Sequence, residues 1–289
     1  MKLITIDFKS KTNLIEALLK KENIKVIKKK TLIEKLTFKK DNYAQIYFHS
    51  GKLEDKDIKK IENSKFTIVN SYFSKNKIIE KFPHFDNKIE VLYPSINMPL
   101  YKEKEIKKQL YLDLKINSEN KIIFFTAKNF KTSGIKEFID IISNINYKNI
   151  QVIIAGDNKQ ITALKFQVSK LAIKDKILFL EDYKQLDKLY YLADIFILPT
   201  HSSAFATNIL KAMFAKCAVF ISSYSSAREV VDVFSTMNTP SDGSTVFKVD
   251  ALLGRKEDLK LIKKQNKQAA EEFTLDKSLE KMHTLIQSV

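Results

Sequence analysis

Short, almost wholly apolar runs alternate with longer amphipathic ones along nearly the whole chain. Each apolar run is strand-length, far short of the ~20 residues that a membrane-spanning helix needs. Strands that are apolar throughout are buried on both faces. Strand–helix alternation of this kind builds a parallel sheet with helices on both sides. In the first third, strands are expected at residues 3–6, 24–27, 44–49, 66–70 and 89–93, with helices at 12–21, 54–62 and 74–81. Leu14, Ile15, Leu18 and Leu19 share one side of the first helix, and Thr12 or Asn13 can cap it. A second series follows, with strands at 122–126, 152–155, 177–180, 195–198, 219–222 and 245–249. Its helices are expected at 134–145, 161–171, 183–193, 205–215 and 226–233, and two more, 256–272 and 276–287, close the chain.

Pro94 and Pro99 interrupt the alternation between the two series, and a polar run covers 101–109. The domain boundary is placed there. The reading is an α/β protein of two Rossmann-like domains with parallel sheets, residues 1–98 and 99–289, the first one reduced. Two such domains in tandem put any ligand in the cleft at the carboxyl ends of the strands, facing the other domain.

Composition narrows the function. Five glycines stand where an average chain of this length would carry roughly 20. Loops that cradle phosphate rely on glycine, because only glycine lets backbone N–H groups approach closely at positive φ. The composition therefore argues against a nucleotide-handling enzyme, although AT-rich coding also depletes glycine. The net charge of +16 is spread along the chain, and only Arg228 and Arg255 among the fifty bases are arginine. Arginine is the residue of bidentate phosphate and base readout, so no specific nucleic acid partner is implied. A diffuse lysine field suits an anionic membrane face or an acidic protein partner. A solvated surface written in an AT-rich genome gives the same numbers, and both readings stay open. The single cysteine, Cys217, has no internal partner, and residues 1–8 lack the layout of a secretory signal. These point to a cytoplasmic protein, with peripheral attachment to the inner membrane left open.

Several landmarks occur in order in the second half. They are Phe125-Thr-Ala-Lys-Asn-Phe-Lys-Thr-Ser-Gly134, Val152-Ile-Ile-Ala-Gly-Asp157, Ile177-Leu-Phe-Leu180, Leu189-Tyr-Tyr-Leu-Ala-Asp-Ile-Phe-Ile-Leu-Pro199, Leu210-Lys-Ala-Met213 and Arg228-Glu-Val-Val231. This series resembles the donor-binding domain of family 4 glycosyltransferases, which have the GT-B fold. Residues 41–50, Ile68-Val-Asn-Ser-Tyr-Phe-Ser-Lys75 and Ile89-Glu-Val-Leu-Tyr-Pro94 resemble that family's first domain less strongly.

The resemblance implies a set of groups for sugar transfer from a nucleotide donor. Transfer needs cations on the leaving diphosphate, backbone N–H groups to hold it, and carboxylates on sugar and ribose. The family supplies an Arg and a Lys after the first strand, a Glu-Gly-Phe-Gly turn, and a second Glu eight residues beyond the first. Here the Arg position is Lys128, which keeps the charge and loses the fork. The Lys position is Ser133, with Lys131 nearby as a substitute. The turn reads Ser203-Ala204-Phe205-Ala206, and the second Glu is Lys211, a charge reversal. AT-rich coding favours glutamate codons, so base composition does not explain the loss of both acids. Glu229, expected at a helix start where the dipole favours an acid, reads either as the one surviving donor-side group or simply as a helix-start charge. In the first domain the turn over residues 6–12 contains no glycine, and the chain passes from Ser50 to the strand at Phe66 with little between, which reads as a shortened acceptor domain.

Other candidates are weaker. His49 reads as a strand-end histidine satisfied by its neighbours, and His201 with Ser202 and Ser203 as a polar lip on the degenerate cleft. His84 and His283 read as surface residues. Ser203 lacks the Gly-x-Ser-x-Gly context of a hydrolase nucleophile. Cys217 reads as a buried small hydrophobe. The four His and the single Cys show no metal-ligand spacing, so no metal and no cofactor are expected. The expectation is a non-catalytic, glycosyltransferase-like protein that binds a protein partner at the membrane, as scaffold, chaperone or assembly factor. An active but divergent transferase using a nucleotide sugar is the alternative.

Overall fold

Ile122, Ile123, Phe124 and Phe125 are completely buried, so the strand that carries them lies in the core on both faces. Hiding each such side chain stabilises the fold by roughly 1.5–3 kcal/mol, and a strand can do this only with helices above and below the sheet. The computed structural model describes residues 3–27 and 42–287. Asp41, which the sequence placed at the start of the 41–50 resemblance, lies outside them. The chain divides into two units, Met1–Asn97 with Phe273–Val289, and Met98–Glu272.

In the first unit the elements are β1 (Ile4–Phe8), α1 (Asn13–Leu18), β2 (Ile24–Val26), β3 (Ile46–Phe48), α2 (Asp55–Asn63), β4 (Phe66–Val69), α3 (Tyr72–Ile79) and β5 (Ile89–Val91). The five strands are parallel, in the order β2-β1-β3-β4-β5. Thr12 caps α1 by accepting from the Ile15 amide, as its sequence position suggests.

In the second unit α4 (Glu103–Asp113) precedes β6 (Lys121–Thr126), α5 (Ile135–Ser143), β7 (Ile150–Gly156), α6 (Asn158–Val168), β8 (Ile177–Glu181) and α7 (Leu186–Leu192). Then come β9 (Ile195–Leu198), α8 (Thr207–Phe214), β10 (Ala218–Ser222), β11 (Thr236–Met237), α9 (Ser244–Gly254) and α10 (Lys256–Glu271). The order is β11-β10-β9-β6-β7-β8, again parallel, so the winding direction reverses between β6 and β9. This is the doubly wound arrangement of dinucleotide-binding sheets.

Four differences from the sequence reading have physical causes. Residues 245–249 form the start of α9 and not a strand. The β-branched run Thr-Val-Phe-Lys-Val suggests extension, but Thr245, Val249, Leu252 and Leu253 are buried at helical spacing. Asp242 also nucleates the helix by accepting from the Ser244 amide at 2.9 Å. The sixth strand is instead the two-residue β11. Residues 226–233 are not one helix but two short 3-10 turns, Ser226–Glu229 and Val233–Ser235. The polar run after Pro99, to which the sequence assigned no element, forms α4, with Ile106 and Leu110 buried. Finally, α11 (Leu275–Gln287), which the sequence grouped with the second domain, joins the first unit, where Met282 is completely buried beside Leu14, Ile15 and Leu18. Amphipathic periodicity identifies such a helix but not the sheet it covers.

Candidate functional site

In doubly wound sheets, ligands bind beyond the carboxyl ends of the strands, where the winding reverses. In the second unit these ends are Thr126–Lys128, after β6, and Pro199–His201, after β9. Two glycines shape the surroundings. Gly134 has φ +81, and a Cβ there would stand 1.8 Å from the Pro199 carbonyl oxygen. The loop after β6 can therefore lie against the end of β9 only with glycine at this place. At Gly156 a Cβ would stand 2.4 Å from Cζ of Phe130, whose ring lies over the glycine.

A recess of about 350 Å³ opens at the ends of β6, β7 and β8, lined among others by Lys128, Asp157, Asp182, Tyr183, Asn208 and Lys211. That is within the ~300–1,000 Å³ range of small-molecule sites. Asn208 ties α8 to the sheet by donating from Nδ2 to the Thr126 carbonyl at 2.8 Å. Asp157 caps α6, accepting from the Gln160 amide at 3.1 Å, and also accepts from the Gln160 carboxamide. These bonds hold its carboxyl below the usual carboxylate range. Burial raises the Tyr183 hydroxyl. Asp182 sits at φ 46, a conformation uncommon for a residue with a side chain.

The residues singled out by sequence separate here into groups. Lys128 is exposed and lines this recess, and its carbonyl accepts from Gln160 Nε2 at 3.1 Å. Lys211 lines it as well, but its ammonium is engaged: Nζ lies 2.7 Å from Oδ1 of Asp187 on α7. Lys131 does not join them; it lines a neighbouring, largely apolar recess of about 690 Å³. Ser133 is half-buried, its amide donating to the Asn129 carbonyl at 3.1 Å. Ser203 and Ala204 form an exposed turn stitched to the loop after β10: the Ser203 carbonyl accepts from the Ser226 amide at 3.3 Å, and that of Ala204 from Ser225 Oγ at 3.2 Å. Phe205 is buried and anchors the turn, and Ala206 is the N-cap of α8 without a side-chain cap bond. Glu229 is not at a helix start; it ends the turn Ser226–Glu229 and lines neither recess. His201 is exposed, with Nε2 2.8 Å from Oε1 of Glu137.

Asp187, Asn208, Gln160 and Tyr183 escaped the sequence reading. Asp187 carries the charge that balances Lys211, yet the two are 24 residues apart and only the fold brings α7 against α8. A Lys standing where the resemblance puts a Glu is the one signal that could have prompted a search for a compensating acid.

The first unit carries a polar cluster at the carboxyl ends of β1 and β3, where its own winding reverses. Asp57, completely buried, accepts from Tyr47 Oη at 2.7 Å, Lys9 Nζ at 2.8 Å and the Glu54 amide at 3.0 Å. Burial raises the Asp57 carboxyl, but Lys9, Tyr47 and the Glu54 amide outweigh it and hold the group below the usual value. Burial lowers Lys9, and Asp57 and Glu54 more than reverse the effect. Burial likewise pushes the Tyr47 hydroxyl up. His49 is buried, with Nδ1 3.5 Å from Tyr47 Oη, and burial lowers its pKa despite Asp57 nearby. It is the neighbour-satisfied histidine the sequence suggests. Among the described residues, no cluster of three or more His, Cys, Asp or Glu side chains could hold a metal ion, and no helix is long and apolar enough to cross a membrane.

Comparison with known proteins matches this geometry. The profile of a family described as glycosyl transferases group 1 matches residues 107–271. An uncharacterized glycosyltransferase of Methanocaldococcus jannaschii is 25% identical over 163 residues, which is 54% of this chain and 42% of that protein, so the match spans less than half of the relative's length. Among solved structures, a glycosyltransferase from Rickettsia africae ESF-5 superimposes with a TM-score of 0.73 at 17% identity, over 98% of this chain and 89% of that one. Anabaena HepE, crystallised with UDP and glucose, gives 0.70 at 14% identity, over 84% of this chain and 71% of that one. At such identities the likeness to these structures is one of fold, with two parallel-sheet α/β units of the GT-B type.

Proposed function

Because the chain belongs to the group 1 glycosyl transferases, we propose that it is a member that keeps the fold and the recess of the donor domain but not the chemistry of transfer, and acts as a binding protein. The observation that carries this reading is the Lys211–Asp187 pair. Where the resemblance implies a carboxylate facing the nucleotide, an ammonium stands, and an internal acid neutralises it at 2.7 Å. The exposed turn Ser203-Ala204 supplies no carboxylate for a sugar either, and Ala206 puts a Cβ at the N-cap of α8, where the family has glycine. The partner is a protein at the cytoplasmic face of a membrane, and the spread lysine charge supports an acidic partner surface or anionic lipid. Scaffold, chaperone and assembly factor are the roles that fit.

One observation favours a second reading, an active divergent transferase that uses a nucleotide sugar to build a surface glycan. The 350 Å³ recess keeps Lys128, Asp182 and Tyr183 at the carboxyl ends of the strands, and the fold relative HepE was crystallised with UDP and glucose.

Calorimetry and thermal unfolding with UDP, GDP, ADP and their sugar conjugates separate the two, together with an assay of sugar release. A ligand at 100 times its Kd stabilises by about 2.7 kcal/mol. The binding-protein reading expects no sugar release with any donor. Turnover that disappears in Lys128→Ala would move the transferase reading to first place.

A further inference from the structure

The larger recess belongs to neither reading of the donor site. It has a volume of about 690 Å³ and lies between the first turn of α5 and the middle of α6, with Phe130, Ile135, Ala163 and Leu164 supplying a largely apolar lining. Its walls are built and not accidental. The Phe130 ring fits only because residue 156 is glycine. The Phe130 amide donates to Gln160 Oε1 at 2.6 Å, fixing that ring against α6. The Thr132 carbonyl accepts from both the His201 amide at 3.0 Å and Thr200 Oγ1 at 3.1 Å. The Glu137 carboxylate is taken up by His201 at 2.8 Å. The loop's polar groups named here are thus satisfied within the protein, which leaves the interior apolar. At the rim stand Lys131 and Lys136, both exposed, and neither makes an ion pair among the described residues.

An apolar interior of ligand size with two unpaired ammonium groups at the rim is complementary to one chemical class. We propose that this recess binds an amphipathic anion, an acyl or alkyl chain bearing a phosphate or carboxylate head. The chain replaces water against Phe130, Ile135 and Leu164, and the head lies between Lys131 and Lys136. Free fatty-acid-like molecules and membrane lipids with phosphate heads share this chemistry. The proposal is independent of whether sugar is transferred, because no residue lining this recess also lines the donor recess.

The chain contains no tryptophan, so Gln167→Trp, on the lining of this recess, gives a fluorescence signal from this place alone. The full chain with this substitution is titrated with dodecyl phosphate below its micelle concentration, with dodecanol, with inorganic phosphate and with phosphatidylglycerol vesicles. A saturable blue shift with dodecyl phosphate is expected, with dodecanol binding at least about tenfold more weakly. Adding Lys131→Gln and Lys136→Gln should weaken dodecyl phosphate by about tenfold while leaving the unfolding midpoint of the free protein unchanged. A rise in the unfolding midpoint of the unsubstituted chain with dodecyl phosphate checks that the new tryptophan did not create the site. If monomeric dodecyl phosphate and vesicles both shift the emission, the source is a membrane lipid; if only the monomer does, it is a free amphiphile. No shift, equal affinity for dodecanol, binding that survives loss of both lysines, or a response to vesicles alone each overturns the proposal.

Discussion

The two sheets reverse their winding at corresponding places, between β1 and β3 in the first unit and between β6 and β9 in the second. In the first unit the described side chains at these ends hold one another: Lys9 reaches Asp57 at 2.8 Å, and Ser50 Oγ donates to Ser10 Oγ at 3.1 Å. In the second, the ends lead to recesses of about 350 and 690 Å³. The same topology offers a binding crevice in both units, and the side chains after the strands decide whether it is filled. A glycine-free turn after β1 puts a lysine where backbone could otherwise approach a ligand, and Asp57 turns that lysine inward. Gly134, after β6, and Gly156, at the end of β7, do the opposite by letting backbone and ring pack tightly enough to leave space beside them.

This contrast can be broken most severely at Gly134. Gly134→Ala combines left-handed strain of roughly 1–3 kcal/mol with ~1–3 kcal/mol of overpacking against Pro199. Urea unfolding should show a loss of about 4 kcal/mol in the second unit. Asp57→Ala removes the acceptor shared by Lys9 and Tyr47. A buried partner lost in this way costs about 3 kcal/mol, the low end of the range because Lys9 is partly exposed, and unfolding followed by tyrosine absorbance should register it. The pH dependence sharpens the comparison further. His49 is held neutral in the folded chain, its pKa below the ordinary 6.5, so the unfolded chain binds the extra proton first. Stability is therefore fully present above about pH 6.5 and falls as pH drops through that value. His49→Gln should flatten this slope in unfolding free energy measured between pH 7 and 5. The smallest effect is expected at the open end. Lys211→Met breaks a half-exposed pair with Asp187 and should change stability by no more than about 1 kcal/mol, while calorimetry reports whether UDP binding changes with it.

Much of this was legible in the sequence because apolar runs buried on both faces leave few alternatives. All five strands of the first sheet and five of the six in the second lie where the alternation puts them. The failures occur where local preference and tertiary context disagree. The Thr245–Val249 stretch, β-branched and aromatic, becomes helix because Asp242 accepts from the Ser244 amide at its start and because Thr245 and Val249 are buried with Leu252 and Leu253 at helical spacing. The landmarks around Lys128 and Lys211 were readable from their spacing, and both do line one recess. Their partners were not readable. Asp187, Asp57 and Glu137 act through contacts across 24, 48 and 64 residues, and such pairings carry no periodic signal.

The return of α11 to the first sheet also has a consequence in time. Ribosomal synthesis delivers residues 98–272 as one uninterrupted block, able to close its sheet as soon as it emerges. The earlier block waits: the cluster that Leu14, Ile15 and Leu18 of α1 form with Ile4, Ile6 and Ile46 stays incomplete until Met282 arrives. Contacts of such long sequence separation form slowly, and an uncovered apolar face is open to association meanwhile. Nascent chains halted before residue 273 should therefore carry a finished second unit and a first unit that still attracts chaperones.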